Sequence, residues 1–496
     1  MIWFLAVAAI AASIPAGLRW LRIAQREHYL APATTRFAFR WWTATPANLA
    51  LLAAATLGVV GSLFDPRWGL LTVIAQVGPL GLGVRGTSSP LAWTPRLLRL
   101  AALSGVLTLG LYALGAALLA PVLVAAALLG APLIVDLALV ALAPIERRLG
   151  GKWVDRAAGK LATVGAEVVA ITGSYGKTTT KAYLTYLLSG SRRTLASPAS
   201  FNNRMGLARA INENLSAATE VFVAEMGTYG AGEIASLCQW ISPQVAAIVS
   251  VGPVHLERFK TEERIVAAKA EILDRAEVGV ICVDNPLLAS LAEERARTME
   301  VIEVSTGDRG RVRVTSAEIL VDGRVLTRTP EGVFRDNLAV ALGACLALGV
   351  DPKELVPRLT DLPVAEHRQS VTTSAAGFTI IDDTFNANPA GCRRALELLQ
   401  GLSAGGKKVV VTPGMVELGS RQDAENTSFA AAVAEVADHL IIVGRTNRHS
   451  LLAGSDQGRA SVTVVASRDE AVAWVRENLG PGDVVLYEND LPDHYP

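Results

Sequence analysis

The chain has 496 residues, enough for three domains of ordinary size, and hydrophobic residues make up 51% of it. Lys plus Arg and Asp plus Glu each number 46, so the formal net charge is zero and nothing in the charge balance suggests a nucleic-acid partner. Four cysteines, Cys238, Cys282, Cys345 and Cys392, lie far apart with no CxxC pair, which suits a reducing cytosol and argues against a structural zinc site.

The apolar excess is concentrated at the start. Residues 1 to about 145 are dominated by Ala, Leu, Val and Gly, contain no Lys, and carry acidic side chains only at Glu27, Asp65 and Asp136. Apolar runs at about 2–18, 46–64, 69–84, 100–118 and 122–143 approach or reach the roughly 20 residues that a spanning helix needs. They are read as a helical membrane domain of about five spans, the third being the shortest. No small-residue cleavage site follows the first run and more apolar runs come after it, so it reads as an anchor and not as a removed signal. Arg19, Arg22, Arg26, Arg36 and Arg40 fill the first loop, Arg85, Arg96 and Arg99 the third, and Arg147, Arg148 and Lys152 follow the last run. Basic loops face the cytoplasm. This alternation predicts a multi-pass cell-membrane protein with its N-terminus outside and residues 146–496 in the cytoplasm.

The stretch Val168-Val169-Ala170-Ile171 reads as a buried strand, and Thr172-Gly173-Ser174-Tyr175-Gly176-Lys177-Thr178-Thr179 then turns into a helix. Glycines let backbone N–H groups approach an anion, the helix N-terminus adds positive potential, Lys177 can reach the β and γ phosphates, and the Thr178 hydroxyl can hold Mg²⁺. The loop argues for ATP or GTP. Its spacing is shorter than GxxxxGK[ST], since Ile171 stands five places before Gly176.

Strand-like and helix-like stretches alternate from there on, the pattern of an α/β domain with a mostly parallel sheet. Strands are expected at 221–224, 245–251, 279–283 and 301–304, helices at 178–189, 205–214, 230–239 and 261–276, and a hairpin over 311–334 turning at Asp322-Gly323. A helix over 337–348 should end at Gly349. Prolines at 352, 357 and 363 mark a boundary, and a second, Rossmann-like α/β unit follows with strands at 378–381, 408–412, 439–443, 462–465 and 484–487. The domains expected are therefore 1–145, 146–360 and 361–496.

The short TGxxGKT loop resembles that of the Mur ligase family, which joins amino acids or peptides to carboxylates. Ala224-Glu225-Met226-Gly227, Val251-Gly252-Pro253-Val254-His255, Ala268-Lys269-Ala270-Glu271, Asp382-Asp383-Thr384-Phe385-Asn386-Ala387-Asn388-Pro389 and Met415-Val416-Glu417-Leu418-Gly419 resemble its MurF branch, which adds D-alanyl-D-alanine. The resemblance runs from about 165 to 487. It implies an ATP-dependent ligase working through an acyl phosphate in cell-wall precursor synthesis. ATP, two Mg²⁺ ions, a carboxylate acceptor and an amino-acid or dipeptide donor would be its ligands.

The resemblance also implies roles. Glu225 would join Thr178 on the nucleotide's Mg²⁺. His255 and a carbamylated Lys269 would hold a second Mg²⁺. Asn203, with Asn202, would stand near the phosphates, Asn337 beside the nucleotide, and Asp383 on the ribose. His367-Arg368 would open the last domain, with Arg368 reaching the γ-phosphate.

Three departures stand out. Ser250 replaces an asparagine, Thr412-Pro413-Gly414-Met415 replaces Leu-Gly-Asp-Met, and Tyr487-Glu488-Asn489-Asp490 replaces Lys-Gly-Ser. Residues 1–145 also take the place of the soluble domain that binds a UDP-sugar, so the acceptor can be lipid-linked or UDP-linked. Two alternatives remain open: a membrane-bound polyglutamate-type synthetase, and a nucleotide-gated membrane protein that forms no amide.

Overall fold

The computed structural model describes every residue except 85–89, 199–200, 364–368, 386, 403–404, 492–493 and 496. It divides into two compact units, one made of 1–149, 444–446 and 490–496, the other of 150–443 and 447–489.

The first unit is helical: α1 (Ile2–Arg26), α2 (Ala33–Thr43), α3 (Pro46–Gly61), α4 (Gly69–Ala75), α5 (Pro95–Ala117), α6 (Pro121–Leu129) and the start of α7 (Ala131–Val164). Among the described residues, α1 and α5 are each long and apolar enough to cross a membrane, while α2 with α3 and α6 with α7 qualify only as pairs bent by 113° and 76°. That makes four crossings by helix length and composition at most, not five. The third apolar run yields only α4, seven residues or about 10 Å of helix.

Gly78-Pro79 breaks that run, because proline lacks an N–H to continue the helix. Side chains satisfy the backbone thus released. Arg19 donates to the carbonyls of Gln76 (3.0 Å), Val77 (3.1 Å) and Gly78 (2.7 Å). Asn48 bonds both the N–H (2.7 Å) and the carbonyl (3.2 Å) of Leu80. Non-helical backbone is tolerated in an apolar unit only when its polar groups are met in this way. Trp3, Phe4, Val7, Val106 and Leu137 are exposed.

Two boundaries differ from the sequence reading. The break expected at 145 falls inside the continuous helix α7. Residues 490–496 belong to the first unit and not to the last domain. There Trp41 Nε1 donates to the His494 carbonyl at 2.8 Å, and the Phe37 and Tyr495 rings meet edge to face at 5.0 Å.

The second unit carries two sheets. The first uses β1 (Glu167–Thr172), β2 (Thr194–Ala196), β3 (Val221–Glu225), β4 (Val245–Ile248), β5 (Val278–Cys282), β6 (Glu300–Ser305), β7 (Val312–Val314), β8 (Glu318–Val321) and β9 (Arg324–Arg328), in the order β2-β3-β1-β4-β5-β6-β7-β8-β9. Pairing is parallel from β2 to β7, and β8 and β9 form the expected antiparallel hairpin. Helices α8 (Lys177–Leu188), α9 (Arg204–Asn214), α10 (Glu233–Ile241), α11 (Leu256–Phe259), α12 (Glu262–Ala270), α13 (Pro286–Arg295), α14 (Arg335–Ala347) and α15 (Pro352–Leu355) accompany it. Val168, Ala170, Phe222 and Ala224 feed the core cluster on one face and Val169, Ile171, Val221 and Val223 that on the other, the period-2 alternation of a sheet buried on both sides. Gly349, in the left-handed region at φ +76°, follows α14 as its residue type suggests.

The second sheet, with order β10-β11-β15-β12-β13-β14, consists of β10 (Ser370–Thr373), β11 (Thr379–Asp383), β12 (Lys408–Thr412), β13 (His439–Val443), β14 (Ser461–Val465) and β15 (Val484–Glu488). Only β10 runs antiparallel. Its helices are α16 (Pro389–Leu402), α17 (Gln422–Val436), α18 (Arg448–Ser455) and α19 (Arg468–Asn478). The five parallel strands are those expected from the apolar runs. Short β2 and the edge strand β10 were not, since three half-buried residues or four mostly exposed ones carry too little pattern.

All four cysteines are buried, and burial pushes their thiols up, to about 12 for Cys238.

Helices α17 and α18 pack most closely at Gly454, where an added Cβ would meet the Thr427 carbonyl and stand 2.8 Å from Ala430 Cβ. Gly454→Val is therefore expected to destabilise the last domain by about 1–3 kcal/mol, read as a lower denaturant midpoint of the solubilised protein.

Candidate functional site: a nucleotide cleft between two sheets

The chain leaves the first sheet at Thr172, at the end of β1, which has β3 on one side and β4 on the other. Crevices at such switch points are where open α/β sheets take ligands. Gly176 caps α8 in the left-handed conformation (φ +81°), which a side chain would resist. A Cβ at that position would also collide with the Asn337 side chain.

Ser250 secures the loop. It accepts from Tyr175 N–H at 3.0 Å through Oγ and donates from Oγ to the Tyr175 carbonyl at 2.8 Å, while its own carbonyl accepts from Ser174 N–H at 2.9 Å. The serine that departs from the family pattern is thus a structural clasp. Lys177 Nζ folds back to the Gly173 carbonyl at 2.7 Å, across the mouth of the cradle. Thr179 is buried and Thr172 fully so, and Thr172 Oγ1 has no hydrogen-bond partner among the described residues.

Glu225 ends β3, in register with Ile171 of β1, and is 1% exposed. Its carboxylate accepts from Thr178 Oγ1 (3.1 Å) and Asn202 Nδ2 (3.3 Å) and pairs with Lys181 Nζ at 3.0 Å. Thr178 and Glu225, which the resemblance put together on the nucleotide's Mg²⁺, are hydrogen-bonded to each other. Lys181 went unnoticed in the sequence, although it stands one helical turn beyond Lys177 and so on the same face. The asparagine assignment needs correction: Asn202, not Asn203, reaches the site. Asn203 caps α9, its Oδ1 accepting from Gly206 N–H at 3.0 Å, the ordinary use of an asparagine before a helix.

His255 and Glu417 meet through Nδ1 and a carboxylate oxygen, joining the two α/β domains. Both have positive φ, 57° and 65°, a conformation uncommon outside glycine. The Tyr229 ring packs edge-on against His255 at 5.0 Å. Arg421–Glu262 (2.6 Å) and Arg394–Asp336 (3.3 Å) make further links between the domains. Lys269, on α12, is 3% exposed, and burial, followed by the nearby Lys177 charge, pulls its pKa well below the usual lysine value. The described residues hold no cluster of three or more His, Cys, Asp or Glu that would cage a metal by itself. Thr178 beside one carboxylate instead suits Mg²⁺, which keeps waters and takes its other oxygens from phosphate.

A cleft of about 410 Å³, counting its open mouth, lies between the domains. Tyr175, Gly176, Thr179, Phe334 and Asn337 line it from the first, Gln369, Asp383, Phe385, Asn388 and Glu488 from the second. Asn337 is 3% exposed with its Oδ1 unpartnered among the described residues, an orphan acceptor of the kind a ligand satisfies. Asp383 accepts from Gln369 Nε2 at 3.3 Å. The cleft thus brings together the loop, Asn337 and Asp383. His367 and Arg368 lie outside the described residues.

Comparison with known proteins identifies the family. The profile of the Mur ligase middle domain matches residues 171–340, and that of the Mur ligase glutamate ligase domain matches 367–487. The UDP-N-acetylmuramoyl-tripeptide--D-alanyl-D-alanine ligase of Mycobacterium tuberculosis is 30% identical over 379 residues, covering 68% of this chain and 72% of that protein. This chain belongs to the Mur ligase family. It is accordingly an ATP-dependent ligase that forms carbon–nitrogen bonds. The Bacillus subtilis ligase of the same name is 28% identical, with 66% and 74% covered. Among solved structures, MurF of Thermotoga maritima in complex with ADP superposes with a TM-score of 0.59 at 27% identity over 69% of this chain and 80% of its own, and MurF of Acinetobacter baumannii with 0.60 at 25% over 68% and 77%. Both profiles begin after the helical first unit.

Lys177→Ala should lower ATP turnover by on the order of 10²–10³ while leaving the melting temperature unchanged, because the lysine crosses the cradle and supports no core. Single-turnover ADP release checks it.

Proposed function

We propose that this protein joins an amine to a carboxylate of a cell-wall precursor at the membrane, in the manner of the D-alanyl-D-alanine-adding Mur ligases it is similar to. The observation that carries the reading is the shared cleft, in which a phosphate loop and Asn337 from one domain face Asp383 from the other. ATP would lie there with its phosphates on the backbone of 173–178, its base by Asn337 and its ribose by Asp383.

The acceptor carboxylate attacks the γ-phosphorus, ADP leaves, and an acyl phosphate results. The amine then attacks the acyl carbon, the C–O bond to phosphate breaks, and the nitrogen loses a proton. Lys177 offsets charge on the transferring group, while the two domains exclude water and hold the reactants in place. Thr178 and Glu225 would hold one Mg²⁺, and His255 with Lys269 a second. Bound there, the ions would neutralise phosphate oxygens and orient them. Burial, followed by the Lys177 charge, lowers the Lys269 pKa and so favours the free-base amine, the form that adds CO₂ and loses a proton to become a carbamate ligand. Arg368 would reach the γ-phosphate.

The helical first unit supports a membrane location, with the acceptor either lipid-linked or UDP-linked and the donor an amino acid or dipeptide such as D-alanyl-D-alanine. ADP release that depends on both acceptor and amine separates a ligase from a nucleotide switch; release that ignores the amine would sink the reading.

Lys269→Ala should cut amide formation at least tenfold while ATP affinity survives, and added acetate should restore part of it by supplying an oxygen ligand. Wild-type ligation in the variant would remove the carbamate. For topology, a reporter fused after Pro496 is expected in the cytoplasm, and one before Ile2 outside if α1, α5 and one of the two bent pairs cross. Cytoplasmic signals at both ends would mean an even number of crossings.

A further inference from the structure

Glu488 stands opposite Asp383 in the register of the parallel strands β15 and β11, so both side chains leave the same face of the sheet at its ligand edge. Each is buried, Glu488 to 1% exposure and Asp383 to 8%, and both line the cleft. One oxygen of Glu488, Oε1, accepts from Cys392 Sγ at 3.0 Å. The other, Oε2, is buried with no hydrogen-bond partner among the described residues. Buried polar atoms are rarely left so, and an orphan at the wall of a cleft points to a ligand.

We propose that Glu488 is a second ribose-binding residue of the nucleotide cleft, presenting Oε2 to one sugar hydroxyl while Asp383 takes the other. The assignment rests on the nucleotide reading above and falls where the chain departs from the family's Lys-Gly-Ser.

Three considerations favour the sugar over other ligands. Gly176 and Thr179 of the phosphate cradle line the same cleft as the two carboxyls, and the sugar is the part of a nucleotide joined directly to its phosphates. Burial, with the Asp383 charge next, holds the Glu488 carboxyl well above the usual range, which favours the protonated form, with an O–H to donate as well as an oxygen to accept. Such a group matches a hydroxyl, which also donates and accepts. An ammonium group would require the charged form, so the amine substrate is a poor fit.

The test is calorimetric titration of the full-length solubilised protein with ATP, 2′-deoxy-ATP and 3′-deoxy-ATP in Mg²⁺. The wild type should bind each deoxy analogue about tenfold more weakly than ATP, the worth of one hydrogen bond. Glu488→Leu should bind ATP about tenfold more weakly and lose its discrimination against one of the two analogues. Glu488→Gln, which keeps a donor and an acceptor, should retain it. A leucine variant that keeps the wild-type ratios, or weakens all three nucleotides alike, overturns the proposal and leaves Glu488 a structural residue. Should that variant fail to fold, Glu488→Asp, shorter by one methylene, is read by the same ratios. Failure of the unaltered protein to bind ATP at all would instead reject the nucleotide site itself, and this inference with it.

Discussion

One buried carboxylate organises the catalytic unit. Glu225 ends strand β3 where water hardly reaches, and an ionised group there is tolerated only with compensating charge and hydrogen bonds. Lys181 supplies the charge, and Thr178 and Asn202 supply the bonds. Two of the three partners lie on α8, so satisfying the carboxylate fixes the rotation of that helix and with it the aim of the phosphate loop at its start. The third lies just ahead of α9. The loop's geometry is thus set from beneath, by a demand for charge balance, before any nucleotide arrives.

Ser250 does the same from above with neutral groups. Three hydrogen bonds to residues 174 and 175 hold the loop against the end of β4. A shorter hydroxyl can replace the amide expected there because it donates and accepts at once. The family resemblance was legible despite this change, since it is carried by several separated motifs.

What could be read from residues alone follows physical lines. Buried parallel strands announce themselves as apolar runs, and glycine with lysine and threonine at a strand end has few roles besides holding phosphate. Thr178 with Glu225 was therefore visible. Lys181 and Glu488 were not, because a lysine in a helix or a glutamate at a strand end is ordinarily solvated, and only the tertiary fold reveals that both are buried. Asn203 misled for a related reason: neighbouring asparagines look alike in sequence, and it takes the backbone to decide which one caps the helix. The third apolar run misled because hydropathy counts side chains and not backbone. Its composition suits a span, but Gly78-Pro79 ends the helix, and Arg19 and Asn48 make the broken stretch of backbone acceptable.

The cysteines bear on how this protein can be studied. Their thiols are buried in the two α/β domains and held in the unreactive protonated form, Cys238 and Cys282 against the first sheet, Cys345 on α14 and Cys392 beneath the second sheet. Alkylating reagents should therefore leave the folded chain silent, and each native thiol becomes a clock for the opening of its own domain. The same silence provides a clean background for site-directed spin or fluorophore labels. A single cysteine introduced at the rim of each domain would then report the distance across the cleft, with no need to remove the native ones.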